Sequence, residues 1–199
     1  MALSALSDEL MRAEGMMMQD QNEEALELLL RLAEDAEEYV DCNCQATDEV
    51  QYFAFPTLFD RLAYRRVEND PRKLDDVHEP FDRLYGDLAM AYVRTGDYEN
   101  AMNALKTAIR WNPMNCGFRL DLADLFKIAG DIREHIALTF GVFERASEAR
   151  HLTRAFLNFA AWFEAQGRLE QAAACLRAAR RFEVKDSTLE AALDQAAGT

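Results

Sequence analysis

The cysteines are the residues whose type and spacing come nearest to a chemical site. Cys42 and Cys44 are separated by one residue, whereas Cys116 and Cys175 stand far along the chain and neither is close to a histidine. A structural zinc site needs four ligands, usually supplied as two closely spaced pairs. We therefore expect free thiols and no metal site, and nothing in the sequence predicts a bound cofactor.

The other groups that could take part in catalysis are equally scattered. His78, His135 and His151 are isolated, and no Ser, Cys or Lys lies in a recognisable nucleophile motif. The carboxylates Asp75-Asp76 and Glu37-Glu38 make poor acid/base pairs, because adjacent residues on a helix do not face each other. The chain also lacks a glycine-rich phosphate loop and the HExxH and DxDxDG motifs. We expect no enzyme, and an enzyme or small-molecule-responsive regulator stays only as a third hypothesis.

The formal net charge of −14 is concentrated in the N-terminal third of the chain. Residues 1–60 hold 15 acidic and 2 basic side chains, whereas residues 61–199 hold 21 acidic and 20 basic side chains. An acidic surface repels phosphate, so we expect neither nucleic acid nor an anionic membrane as the main partner. The acidic third is interpreted as a solvated helix face, with a docking surface for a basic partner as the alternative.

The sequence also bears on the compartment. No apolar run approaches the roughly 20 residues that span a bilayer, and the N-terminus lacks the basic and apolar regions of a signal peptide. Four cysteines without a regular framework are typical of free thiols in a reducing environment. We therefore expect a cytoplasmic protein.

The elements that position any binding surface are predicted to be helices. Gly and Pro are scarce, at 8 and 4 residues, while strong helix formers are abundant. Residues 1–80 are expected to form an acidic helical subdomain, and its first two helices are open to interpretation as a degenerate hairpin. Apolar spacing and breaker residues predict this order: helices at 3–18 and about 22–40, a loop at 41–47, an aromatic segment at 52–55, a short helix at 58–67 and a connection at 69–80.

From residue 81 the chain carries an internal repeat with a period of roughly 34 residues. The first unit, residues 82–115, reads DRLYGDLAMAYVRTGDYENAMNALKTAIRWNPMN. A small residue at Ala89 lets two helices approach closely, and Gly96 accepts the backbone angles of the turn between them. The other characteristic positions of this unit are Leu88, Tyr92, Asp97, Tyr98, Ala101, Leu105, Ala108 and Pro113.

The same pattern recurs twice along the chain. Gly96 is followed by Gly130 and then by Gly167 at the equivalent turns. The second unit departs from the pattern at His135 and Thr139, and the third lacks the turn aspartate and the terminal proline. The equivalents of Leu88, Ala89 and Tyr92 are Leu122, Ala123 and Phe126 in the second unit, and Phe159, Ala160 and Phe163 in the third.

This spacing resembles the tetratricopeptide repeat, and the order of acidic helices, aromatic segment and repeats is similar to that of a group of bacterial tetratricopeptide proteins. The resemblance implies an all-α fold, a right-handed solenoid (α–α superhelix) of antiparallel helix hairpins that stack into one core. An N-terminal subdomain at 1–80 is expected to precede a repeat domain at 81–199. Within the repeat domain, hairpins are expected at about 82–115, 116–149 and 153–186, with a C-terminal capping helix at 186–197.

The resemblance also implies a concave binding face formed by the first helix of each hairpin. Chaperone-binding members of the family hold a peptide carboxylate there with Lys, Asn and Arg side chains. Gly86 and Met90 replace the expected lysine and asparagine, so we expect that clamp to be absent. The positions carried over to this chain, here called the groove positions, are Arg83, Gly86, Met90, Val93 and Arg94, then Gly117, Leu120, Asp124, Lys127 and Ile128, then Arg154, Leu157, Ala161, Glu164 and Ala165.

We therefore expect a non-catalytic protein–protein interaction module, an adaptor or scaffold, that binds a peptide or amphipathic helix of a partner on this face. In one alternative, the chain's own N-terminal helices cover part of the face. In another, the protein is a self-associating structural protein. The homodimer would form through the large side chains of the aromatic segment, namely Tyr52, Phe53, Phe55, Leu58 and Phe59.

Overall fold

The computed structural model describes residues 5–197 and has the expected all-α, helical-repeat architecture, with ten helices and two short strands in that range. The chain divides into two compact units, one up to Met114 and one from Asn115 onwards. No helix within the described residues is long and apolar enough to cross a membrane. Residues 1–4, which include the predicted start of the first helix at residue 3, lie outside the described part of the chain.

The first unit contains two helix hairpins, with a small β–α–β element between them in the sequence. Helix α1 packs on α2, α4 packs on α5, and α4 also contacts both N-terminal helices. The elements of this unit are α1 (Ala5–Met18), α2 (Asn22–Asn43), β1 (Val50–Phe53), α3 (Leu58–Glu68), β2 (Lys73–Asp76), α4 (Phe81–Thr95) and α5 (Tyr98–Trp111).

Hairpin α4–α5 shows why its residues occur at their positions. Ala89 is buried where the two helices approach. Gly96 adopts a φ of +85°, a left-handed conformation that strains residues with a Cβ. The side chain of Asp97 caps α5 by accepting a hydrogen bond from the backbone amide of Asn100. The local pattern therefore produces the close packing, the turn and the helix start that it predicts.

The segment between the two hairpins contains a parallel two-stranded sheet that the sequence analysis did not predict. Strands β1 and β2 pair from Val50 with Lys73 through Phe53 with Asp76, and α3 supplies the crossover that parallel strands require. Strands of four residues are too short to show a clear alternation, and three of the four residues of β2 are charged. The residues from 69 to 80 therefore include a strand and are not the simple connection expected from the sequence.

The interior of this β–α–β element is aromatic. Phe53, Phe55 and Tyr64 pack with ring centroids between 4.6 and 5.7 Å apart. Leu74 and Met114 complete the buried cluster. Phe53 and Phe55, two of the residues considered for a dimer contact, therefore belong to the core of the first unit.

The second unit is formed by two further hairpins and a final helix. Gly130 and Gly167 at the two turns adopt φ values of +84° and +71°, as Gly96 does in the first unit. Helix α10 contacts both α8 and α9, while its role as a cap stays a prediction, as do the expected domain limits at 80/81. The elements of this unit are α6 (Cys116–Ile128), α7 (Ile132–Arg145), α8 (Ala149–Ala165), α9 (Leu169–Arg180) and α10 (Ser187–Ala197).

The departures from the repeat pattern in hairpin α6–α7 are buried polar residues with partners. His135 Nδ1 lies 2.8 Å from the carbonyl oxygen of Ala123. The hydroxyl of Thr139 donates to the carbonyl of His135 at 2.8 Å, and Asn158 reaches that hydroxyl at 3.4 Å. Buried polar groups are tolerated when they are hydrogen-bonded. This network therefore replaces the apolar contacts that the repeat makes at these positions.

Candidate partner-binding site

Helices α1 and α2 form a hairpin, as α4 and α5 do, so α1 and α4 are each the first helix of a hairpin. Asp20 takes the place of Gly96 at the turn, with a φ of +59°. Its amide bonds to the carbonyl of Met17 at 3.2 Å, as the amide of Gly96 bonds to the carbonyl of Val93 at 3.1 Å. The N-terminal helices therefore have the turn geometry of the repeats, although they lack the turn glycine.

Two of the groove positions on α4, Arg83 and Arg94, form polar contacts with this N-terminal hairpin. Arg83 Nε donates to the carboxylate of Glu14 at 2.8 Å, and Nη2 lies 2.6 Å from the same oxygen. Arg94 Nη1 donates to the carbonyl of Met17 at 2.8 Å and lies 3.8 Å from the exposed Asp20. The positive charge of the α4 face is therefore largely compensated within the chain, as expected if the N-terminal helices adjoin that face.

A second carboxylate, Asp87, adjoins the pair between Glu14 and Arg83. Asp87 Oδ2 lies 3.8 Å from Arg83 Nε. Burial, and next the nearby Glu14 carboxylate, raise the pKa of Asp87 to about 7, while Arg83 opposes the shift. The folded protein therefore binds a proton at Asp87 between about pH 4 and pH 7 that the unfolded chain releases.

We expect Asp87→Asn to remove a pH dependence of stability. Because the pKa of Asp87 is raised on folding, its protonation stabilises the fold below about pH 4, and this contribution is lost as the pH rises through 7. Between pH 4 and pH 7.5, the free energy of unfolding of the wild type should fall relative to the variant by more than about 1 kcal/mol. Urea unfolding at several pH values measures the difference. Asp8→Asn, at an exposed carboxylate of α1, is the control and should follow the wild type.

The remaining groove positions of α4 are only partly accessible. Met90 is 48% exposed, and Val93 and Gly86 are half-buried. Met90 is therefore the groove position of this unit that offers most apolar surface to a partner.

The second unit repeats the contact between arginine and carboxylate. Arg154 on α8 lies 2.7 Å from Asp121 and 2.6 Å from Asp124, both on α6. Counted from the hairpin turns, Arg154 is equivalent to Arg83, and Asp124 is equivalent to Glu14. Such half-buried, charge-assisted contacts are stronger than exposed pairs. In each unit, therefore, an arginine of one first helix is tied to a carboxylate of the preceding first helix.

The groove positions on α6 differ widely in exposure. Leu120 is fully buried in the core with Val142 and is closed to a partner in this structure. Gly117 is half-buried, whereas Lys127 is exposed and Ile128 is 65% exposed. The accessible part of the α6 face therefore lies at the C-terminal end of the helix.

An open cleft of about 420 Å³ lies between α8 and α9, and we call it the end cleft. Three of the groove positions, Leu157, Ala161 and Glu164, line it, whereas Ala165 is exposed and does not. The other residues that line the end cleft are Ala160, Leu169, Ala172, Ala173, Leu176, Arg177, Arg180 and Ala196.

The chemistry of the end cleft is aliphatic, with charge at its border. Leu169 is 65% exposed, so a large apolar side chain is available to a partner. Arg180 Nη2 lies 3.7 Å from Asp194 on α10, whereas Arg177 makes no ion pair with any residue between 5 and 197. The end cleft can therefore bury apolar side chains and pair one carboxylate.

Sequence reasoning missed the wall of the end cleft that α9 supplies. Leu169, Ala173 and Leu176 recur at helical spacing in the last repeated hairpin. In a repeat array, such an apolar stripe packs on the next hairpin. This spacing was the sequence signal that α9 carries an apolar stripe.

The cysteines are dispersed in the fold. All four are free thiols, and burial raises the pKa of Cys44 and Cys175, and that of Cys116 to about 11. Within residues 5–197, no three His, Cys, Asp or Glu side chains group in a way that could hold a metal ion. Burial also lowers the pKa of His151.

Comparisons with known proteins concern the first repeat most directly. A family model of the tetratricopeptide repeat matches residues 82–115. No curated protein sequence matches the chain significantly. Among solved structures, a thermophilic TPR protein of Thermus thermophilus, TTC0263, is 18% identical, with 98% of this chain and 100% of that chain covered and a TM-score of 0.48. MamA is 16% identical, with coverage of 87% and 86% and a TM-score of 0.45.

Hairpin α4–α5, with its buried Ala89 and its left-handed Gly96, coincides with the stretch that the family model matches. Proteins built from this repeat are generally non-catalytic and bind other proteins. Residues 82–115 therefore match the tetratricopeptide repeat both in sequence and in the geometry of their hairpin.

Proposed function

We propose that this protein is a non-catalytic adaptor or scaffold that holds an amphipathic helix of a partner protein in the end cleft. The observation that supports this proposal most directly is the composition of the end cleft. Leu157 and Ala161 of α8 lie across from Leu169 and Leu176 of α9, beside Arg177. The general role of tetratricopeptide proteins in binding other proteins supports the same conclusion.

The chemistry of the end cleft defines the class of partner. A volume of about 420 Å³ accommodates a few aliphatic side chains but no folded domain. An amphipathic helix presents such side chains at intervals of three and four residues. A carboxylate next to that apolar stripe would pair with Arg177, because a guanidinium binds carboxylates in a matched geometry. The proposed ligand is therefore a helix with aliphatic anchors and one flanking acid.

The residues that line the end cleft also support a non-catalytic role. They include no Ser, Cys, His or Lys, and Glu164 is the single carboxylate among them. A nucleophile that is activated by a neighbouring base needs two such groups within hydrogen-bond reach, and the lining residues do not supply that pair. The four free thiols favour a reducing compartment such as the cytoplasm as the place of action.

Affinity purification with a blocking variant tests the proposal. Ala161→Arg places a long cation in the end cleft, whereas Ala174→Arg makes the same change at an exposed position of α9 outside it. Proteins retained by the wild type and by Ala174→Arg, quantified by mass spectrometry, should decrease at least tenfold with Ala161→Arg. Equal retention by both variants, or no protein retained by the wild type, would speak against the end cleft as the binding site.

A further inference from the structure

Helix α3 presents large apolar side chains to solvent on one face. Leu58, Phe59 and Leu62 are 70%, 62% and 60% exposed, and they lie within little more than one helical turn. Isolated exposed apolar residues are ordinary, but adjacent ones on one helix face form a patch that needs an explanation. The apolar face of α3 is thus a feature separate from the end cleft, which lies in the other unit.

The opposite face of α3 is firmly held. Tyr64 is buried against Phe53 and Phe55. Arg61 donates a hydrogen bond to the carbonyl of Leu74 in β2. The helix is therefore fixed by one side to the β–α–β element, and its outward side has a defined position.

Two arginines extend the outward face beyond the apolar residues. Arg65 and Arg66 are exposed, and helical geometry places both within about 60° of Leu62 around the helix axis. Arg65 donates to the carbonyl of Arg72 at 3.2 Å, but neither arginine forms an ion pair with any residue that the structure describes. Other arginines of this unit, such as Arg83, have carboxylate partners. The outward face of α3 therefore combines an apolar half with an uncompensated basic half.

The size of this face argues against a second copy of the chain as the occupant. The three apolar residues expose roughly 400 Å² if a Leu or Phe offers about 200 Å². Stable protein interfaces bury about 800 Å² on each partner, so a face of this size fits a small, transient contact better than a permanent dimer. Two copies of α3 would also bring four arginines together, and this face carries no carboxylate to neutralise them. An occupant with its own carboxylates fits both the area and the charge.

We propose that α3 is a docking surface for an acidic amphipathic helix of another protein. Leu58, Phe59 and Leu62 contact the apolar stripe of that helix. Arg65 and Arg66 pair with carboxylates that lie one or two turns further along it. This surface is independent of the end cleft and would give the protein a second, separate partner site, as a scaffold requires.

A charge-reversal experiment tests this docking surface. The probes are a fluorescein-labelled helical peptide with leucine along one stripe and glutamate elsewhere, and the same peptide with lysine for every glutamate. Binding is measured by fluorescence anisotropy in the full-length Arg177→Glu variant, so that the end cleft contributes little. The variants compared in this background are Arg65→Glu/Arg66→Glu and Leu58→Ser/Leu62→Ser. Far-UV circular dichroism verifies that all remain folded.

The glutamate peptide should bind at least tenfold more tightly than the lysine peptide. Arg65→Glu/Arg66→Glu should reverse that preference, and Leu58→Ser/Leu62→Ser should weaken both peptides at least fivefold. An unchanged preference after charge reversal would refute the docking surface. It would also be refuted if analytical ultracentrifugation showed a wild-type dimer that Leu58→Ser/Leu62→Ser dissociates, because α3 would then bind a second copy.

Discussion

Replacing Trp111 with alanine is expected to lower the free energy of unfolding by about 3–5 kcal/mol, the range for removal of a buried aromatic side chain. Trp111 is 4% exposed at the end of α5. Its ring lies 5.2 Å from that of Phe81 at the start of α4, and its carbonyl accepts a hydrogen bond from Ala54 at 2.9 Å. The side chain of Trp111 therefore packs at the open end of the repeat hairpin. Its backbone carbonyl connects that hairpin to Ala54, next to the β–α–β element.

Urea unfolding followed by far-UV circular dichroism measures this loss. Tyr98→Ala is the control, because Tyr98 lies on the same helix and is 45% exposed. Its expected cost is below about 1 kcal/mol. If Trp111→Ala costs as little as Tyr98→Ala, the packing of Trp111 on Phe81 does not hold the hairpin together.

The repeat hairpins could be predicted because their determinants are local. A left-handed residue at the turn requires glycine in most cases, and Gly96, Gly130 and Gly167 all have positive φ. For the same reason, a hairpin was only one of the interpretations that the N-terminal sequence allowed. In that hairpin Asp20 occupies the left-handed position. Asp tolerates this conformation better than most residues, but an Asp in a sequence does not by itself predict a turn.

The β–α–β element was not predicted because its strands are formed by pairing with each other and not by a local sequence pattern. The sequence of β2, Lys73-Leu74-Asp75-Asp76, is typical of a loop, and its partner strand precedes it by more than twenty residues. Tertiary context outweighs β propensity in such cases. The same contacts bury Phe53 and leave Phe59 exposed, a division that the composition of the aromatic segment does not reveal.

Several groove positions, among them Met90 and Lys127, are exposed, but the charge around these positions depends on distant residues. Arg83 contacts Glu14, 69 positions away, and Arg154 contacts Asp124, 30 positions away. Sequence spacing alone does not reveal these contacts. Arg177 borders the end cleft and, unlike Arg83 and Arg154, makes no ion pair with a described residue, so it can pair with a carboxylate of the proposed ligand.

The second large expected effect concerns partner binding: Arg177→Glu should weaken it at least tenfold. The change replaces the cation that pairs the ligand carboxylate with an anion that repels it, and each tenfold loss corresponds to about 1.4 kcal/mol. Arg177 is exposed and makes no ion pair with a described residue, so the fold should be unaffected. Arg181→Glu makes the same charge change at an exposed position outside the end cleft and is the matched control.

Isothermal titration of a partner helix, taken from a protein recovered with the wild type, tests the central claim most directly. The end cleft predicts saturable binding with one helix per chain, unchanged affinity for Arg181→Glu and at least tenfold weaker affinity for Arg177→Glu. Equal affinities for the two variants would contradict the assignment of partner binding to the end cleft.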